Sequence, residues 1–180
     1  TERPGGAREM SFMRWGLIPH WVKDPTGFKA NLFNARSESA AEKPSFRDAM
    51  KTNRCIVPAS GFYEWKAEGA GKQPYYIQRT DGQPMAFAGL YSVWTKGSEP
   101  LVSCTILTTE SEGPMRELHH RVPVILEPGE WDRWMDPSEV EPRAVEDLLD
   151  PPEDDVLTWY RVDRLVGNAR VDAPELIERV

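Results

Sequence analysis

Residues 54–94 read RCIVPASGFYEWKAEGAGKQPYYIQRTDGQPMAFAGLYSVW, and this stretch decides the fold. Four short runs rich in β-branched and aromatic residues (54–58, 61–66, 75–80 and 85–94) lie between turn-forming residues. Gly69-Ala-Gly71 and Asp81-Gly82 separate three of them, and Asp-Gly is a strong hairpin signal. The reading is a run of strands meandering through hairpins. Upstream, 10–18 (MSFMRWGLI) predicts a further strand, 19–31 a loop holding Pro25 and Gly27, and 37–41 and 45–52 two short helices. The second of these follows Pro44 and has Ser45 as its cap. Downstream, 102–109 and 121–126 predict strands around a short helix or turn at 110–118. Residues 129–135 and 140–149 look helical, Pro151-Pro152 breaks the pattern, and 157–162 is a last strand. Strands outnumber helices. The fold class expected is α+β, with a mostly antiparallel, barrel-like β-sheet core and peripheral short helices, as one domain over 1–180.

Composition narrows the function. The 180 residues are 39% hydrophobic and 28% charged, enough chain for a single buried core. No apolar run approaches the roughly 20 residues a membrane-spanning helix needs, and no signal peptide opens the chain. Cys55 and Cys104 make neither a disulfide framework nor a four-thiolate zinc site, and of three histidines only His119 and His120 are neighbours. A soluble, cytoplasmic monomer without metal or cofactor is the expectation. The chain starts at Thr1 rather than Met, which reads as a processed or trimmed chain or a fragment.

A net charge of −7 argues at first against a nucleic-acid partner. The charge is segregated, however. Residues 127–155 hold 12 acids against Arg133 and Arg143, and without them the chain has 20 bases and 17 acids. A positive face is therefore open to the remainder, while the acidic stretch reads as solvated helices.

Polar residues inside apolar strand sequence are the informative anomalies. In GFYEW, alternation puts Phe62 and Glu64 on one face and Tyr63 and Trp65 on the other. Glu64 is either a solvated strand-edge carboxylate or, if buried beside Phe62, a proton-transfer group with a raised pKa. His119 and His120 abut the strand RVPVIL, where one histidine suits acid–base work and both suit a surface. Asn34 reads by default as a turn or cap residue, though its amide can hold a reacting group. Cys55 and Cys104 read as buried, inert thiols. Trp15, Trp21 and Trp65 lie near Arg14, Lys23 and Lys66, the pairing of aromatic and basic groups that single-strand binding uses. Only Trp21, in the PHWVKD loop, reads as mainly outside the core.

Taken together, WGLIPHWVKD, NARSESAAEKPSFRDAM, RCIVPASGFYEWK, KQPYYIQ, FAGLYSVW, TILTTE and HHRVPVIL, in that order, resemble the SRAP family, the SOS-response-associated peptidase-like or abasic-site-processing proteins. VGNAR followed by DAPELIE resembles the family's closing segment. The resemblance implies a protein that senses abasic sites in single-stranded DNA and joins itself to them covalently. In the family, an N-terminal cysteine exposed by removal of the initiator Met attacks the ring-opened aldehyde with its α-amine, and its thiol closes a thiazolidine. The resemblance makes Asn34, Glu64 and His119 the catalytic set. Asn34 positions the cysteine, Glu64 orients the amine and moves protons, and His119 helps open the deoxyribose. It also makes Arg36 and Arg121 phosphate-binding residues and Trp21 a DNA-facing aromatic. Val122 stands where the family often has Met. No Cys precedes Trp15, so the chain as printed is expected not to crosslink. A non-catalytic single-strand-binding module is the alternative reading. A hydrolase using Glu64 and His119 ranks below it, because it lacks a metal-ligand set.

Overall fold

The computed structural model describes residues 8–69 and 71–180, so the expectation attached to Thr1 lies outside the described residues. In chain order the elements are β1 (Arg14–Trp15), β2 (Asn34–Arg36), α1 (Ser37–Ala40), α2 (Arg47–Thr52), β3 (Arg54–Ala59), β4 (Phe62–Glu68), β5 (Gly71–Arg79), β6 (Met85–Trp94), β7 (Leu101–Glu110), α3 (Gly113–Leu118), β8 (Arg121–Pro123), α4 (Trp131–Met135) and β9 (Leu157–Arg161). They divide between two compact units. Unit 1 takes the chain up to Val57, then Ala86–Thr109 and Pro123–Asp150. Unit 2 takes Pro58–Met85, Glu110–Val122 and Pro151–Val180. A curled half-barrel sheet with few short helices makes the molecule α+β.

The larger sheet runs β1-β7-β6-β3, with β2 and β8 also paired to β7. β6 is buried along almost its whole length and pairs antiparallel with β7 from Gly89↔Ile106 to Trp94↔Leu101. Its long apolar run is what a strand covered on both faces requires. β1 and β2 join β7 in parallel, through Trp15↔Cys104 and Asn34↔Ile106, a local exception to the antiparallel pattern. Asn34, read from sequence as a turn or cap residue, thus opens a strand, whose Ile106 partner lies far along the chain.

Three other expectations change. Of 10–18 only Arg14–Trp15 is strand, because the Ile18 N–H goes to the Ser103 hydroxyl at 2.8 Å instead of a ladder carbonyl. The Asp81-Gly82 turn forms, but β5 and β6 belong to different sheets and make no hairpin. Asp81 turns its carboxylate onto Arg79 and the Gln83 N–H, and Pro84 has no N–H to continue a ladder. The cap expected at Ser45 is absent: α2 starts after Phe46 with no side-chain cap, its first donors met by a turn on the Lys43 carbonyl.

The core of unit 1 collects Leu17, Met50, Leu90, Leu107, Leu126 and Trp134 with their neighbours. The acidic segment contributes to it. The helical segment expected there is a 3₁₀ helix, Pro142–Leu149, and the threefold spacing aligns Val145 and Leu148 on one buried edge. Arg54, at 4% exposure, sits within this core. Its guanidinium donates to the carbonyls of Met50, Lys51, Trp134, Asp136 and Glu139, tying the end of α2 to the end of α4. Unit 2 holds the three-stranded antiparallel sheet β4-β5-β9, with Tyr76, Ile77 and Leu157 buried.

Candidate active site

β4 carries the first reactive group. Its pairing with β5 sets Glu64 opposite Tyr75, and β9 adds Arg161 opposite Tyr75, so the three share one face. Tyr63 and Trp65 point to the other face, where Tyr63, Tyr76 and Tyr160 form a cross-strand row with ring centroids 5.3 and 5.8 Å apart. The entry to β4 demands glycine: a Cβ on Gly61 lies 2.2 Å from the Tyr76 ring. Sequence alternation therefore placed Glu64 on the correct face. It did not show that only 24% of the side chain is exposed.

His119 comes to Glu64 from α3. The helix opens at Gly113, whose φ of +49° and close approach to the Asp154 carboxylate exclude any side chain. Pro114 follows in the first turn. The helix ends at His119, whose extended backbone donates its N–H to the Met115 carbonyl at 3.0 Å. The next carbonyl, of His120, accepts from the Ser111 N–H at 3.1 Å, so the histidine pair is held from both sides.

The two side chains meet with His119 Nδ1 3.4 Å from Glu64 Oε1. The same ring nitrogen lies 2.9 Å from the Arg121 carbonyl oxygen and 3.2 Å from the Arg121 N–H. One backbone residue thus offers it both an acceptor and a donor, so either imidazole tautomer finds a partner. Burial raises the Glu64 pKa above its ordinary value, opposed by the nearby His119 and by the Trp65 N–H. A carboxyl that keeps its proton closer to neutrality, in contact with an imidazole, is an acid–base pair. His120 stacks obliquely on His119 at 4.5 Å between centroids.

The other expected site residues fall as follows. Arg121 is half-buried and begins β8 beside the His119 ring. In unit 1, Asn34 and Arg36 share the exposed face of β2 while Ala35 points inward, 2% exposed. Trp21 is exposed in its loop, its indole N–H donating to the Pro44 carbonyl at 3.3 Å and its ring edge-on to Phe28. Cys55 and Cys104 are buried, and burial pushes the Cys55 thiol up to about 12, which leaves it inert. Among the described residues no group of three or more His, Cys, Asp or Glu is placed to hold a metal ion. Sequence reasoning missed the network beside Glu64, in which the Tyr75 hydroxyl donates to Glu68 at 2.7 Å and Arg161 reaches both. The alternating pattern of KQPYYIQ was its only signal.

The fold and this carboxylate–imidazole pair define an α+β protein with an acid–base pair beside its smaller sheet. The family model described as SOS response associated peptidase (SRAP) matches residues 1–169, and the chain belongs to that family. It is 41% identical over 177 residues to the abasic site processing protein YoqW of Bacillus subtilis, covering 97% of this chain and 78% of that one. It is 34% identical to the abasic site processing protein HMCES of Gallus gallus, covering 94% of this chain and 57% of the relative. Among solved structures, a protein from Bacteroides thetaiotaomicron superposes with a TM-score of 0.85 at 33% identity, over 93% of this chain and 75% of its own.

Proposed function

We propose that this chain recognises abasic sites in single-stranded DNA and processes them through a covalent protein–DNA linkage, its two units working as one SRAP domain. The observation that carries the reading is the contact of Glu64 with His119 in a chain whose relatives are named abasic site processing proteins.

The chemistry follows from the lesion. An abasic deoxyribose must open to its aldehyde, which requires a proton delivered to the ring oxygen and one removed from the C1′ hydroxyl. His119, with a backbone partner for either tautomer, does both in turn. An amine then adds to the aldehyde and water leaves, a loss that needs an acid on the carbinolamine; Glu64, with its raised pKa, supplies that proton. A thiol on the same residue closes the ring by adding to the C=N carbon, its proton passing to nitrogen, and the five-membered geometry makes this step fast. Cys55 and Cys104 lie inside the chain and have no free α-amine; the resemblance to the family gives the nucleophile's role to an N-terminal cysteine. Asn34 positions it, Arg36 and Arg121 hold flanking phosphates, and Trp21 stacks at the DNA surface. Among the described residues no helix is long and apolar enough to cross a membrane, and we read the protein as a cytoplasmic monomer that meets the nucleoid through DNA.

The test is to give the protein a Met-Cys-Gly-Arg start and incubate it with abasic single-stranded DNA. A denaturant-resistant, gel-shifted adduct is expected, weakened by Asn34→Ala. Salt-sensitive binding that ignores whether a base is missing, with no adduct, would show a binding module instead.

A further inference from the structure

One face of the smaller sheet carries more positive charge than the chemistry above uses. β4 sets Glu64, Lys66 and Glu68 on that face, and β5 and β9 add Tyr75 and Arg161 in the row of Glu64. Gly71 pairs with Glu68, and a Cβ there would lie 3.8 Å from Arg164 Nη2, so the Arg164 guanidinium lies over the same face. Lys66, Arg161 and Arg164 thus gather about a single carboxylate, and all of them belong to unit 2.

Arg161 is held in place without being used up. Its Nε donates to the Tyr75 hydroxyl at 3.2 Å and its Nη2 to Glu68 Oε2 at 2.7 Å. The Tyr75 hydroxyl donates in turn to Glu68 Oε1 at 2.7 Å. That bond, and then Arg161 and Lys66, hold the Glu68 carboxyl below its ordinary pKa, so it stays an anion and fixes the guanidinium. Among the described residues nothing accepts from Arg161 Nη1, and 55% of the side chain is exposed. The Arg164 guanidinium has no hydrogen-bond or ion-pair partner among them. The neighbouring Asp163 carboxylate accepts from the Leu165 N–H at 2.7 Å. One engaged carboxylate does not neutralise three cations, and open guanidinium edges match the oxygens of a phosphate.

We propose that Arg161 and Arg164 grip a backbone phosphate of the DNA strand beyond the lesion, on one side of it only. The proposal rests on the reading that abasic single-stranded DNA is the partner. That reading brings the lesion to Glu64, and the basic face starts there. Glu68 lies four residues further along β4, roughly 13 Å at about 3.3 Å per residue. A single strand covers that in about two to four nucleotides, the larger number at its stacked rise of about 3.4 Å. The phosphate gripped is therefore a different one from those that Arg36 and Arg121 hold beside the lesion. Lys66, between Glu64 and Glu68, adds positive potential along the way.

The experiment measures binding to oligothymidylate carrying one central tetrahydrofuran abasic analogue, by fluorescence anisotropy over a salt series. Arg161→Gln is expected to lower the steepness of log K against log salt by about 0.7, the share of one phosphate on a single strand, which is about fivefold in affinity over a decade of salt. Arg164→Gln loses steepness in the same direction and, with no partner in the protein to lose, keeps the test open should Arg161→Gln unfold. Thermal melts establish which variants fold. Arg79→Gln, whose guanidinium lies on Asp81, leaves the slope unchanged. Strands trimmed to a single nucleotide on the 5′ or the 3′ side of the analogue locate the seat: the arginine effect vanishes with one trimmed strand and persists with the other. An unchanged slope in either folded arginine variant, an equal loss in Arg79→Gln, or an effect that survives both trimmings overturns the proposal. Absence of binding by the parent protein to any strand instead defeats the functional reading.

Discussion

Arg54 and Glu64 lie ten residues apart, one a buried and the other a half-buried charged residue in a strand, and they are opposites. Arg54 spends its guanidinium on five backbone carbonyls and stacks over Trp134 at 5.6 Å. Nothing is left over for a ligand. Glu64 is desolvated enough to raise its pKa, yet its closest charged neighbour is an imidazole at 3.4 Å that can itself gain or lose a proton. A buried charge whose valences are all filled holds a fold together, whereas a half-buried one left facing a titratable partner is available for chemistry.

Substitution at each residue breaks the comparison in a different way. Arg54→Ala strips five carbonyls of their donor, and each buried acceptor left unmet costs about 1–3 kcal/mol before water relieves some of them. A loss of about 4 kcal/mol in denaturant unfolding is expected, enough to leave a marginal domain partly unfolded. Glu64→Gln keeps the shape and removes the proton carrier. In the Cys-start protein it should slow adduct formation about 10²–10³-fold, read by quenched gel time courses, without lowering the melting temperature at neutral pH. His119→Ala should slow it by a similar factor. Gly113→Ala forces a left-handed conformation and a clash with Asp154, for a cost of about 2 kcal/mol. Because α3 carries His119, this variant loses adduct rate as well as stability, whereas the Arg54 variant loses rate only in proportion to its unfolded fraction.

The smallest effect is on stability against pH. Glu64 has a folded pKa raised above its unfolded value, so the folded state binds the proton more tightly. Its contribution is fully present below the unfolded pKa and is lost as pH rises through the folded one. Glu64→Gln removes that dependence, so its melting temperature should gain on the parent's as pH rises from the acid range, by a degree or so.

The same contrast explains what the sequence revealed. β6 and β7 were legible because long apolar and β-branched runs leave few alternatives. β2 was not: NAR holds one apolar residue, and its pairing is with Ile106 and Leu107, some seventy residues further on. The Asp81-Gly82 turn was read correctly as a turn and wrongly as a hairpin, since local chemistry cannot report which sheet the next strand joins. Glu64 stood out as a carboxylate among aromatics, but its burial depends on tertiary packing. Its contact with His119 spans more than fifty residues, and only similarity to a family pointed there in advance.

The central claim is that Glu64 and His119 exchange protons with the lesion as a pair. It is tested most directly by the pH–rate profile of adduct formation for the Cys-start protein on abasic single-stranded DNA, with and without Glu64→Gln. The account predicts a limb in the parent profile lying above the ordinary glutamate range, belonging to the coupled pair, that disappears in the variant along with most of the rate. Superimposable profiles for the two proteins would contradict it.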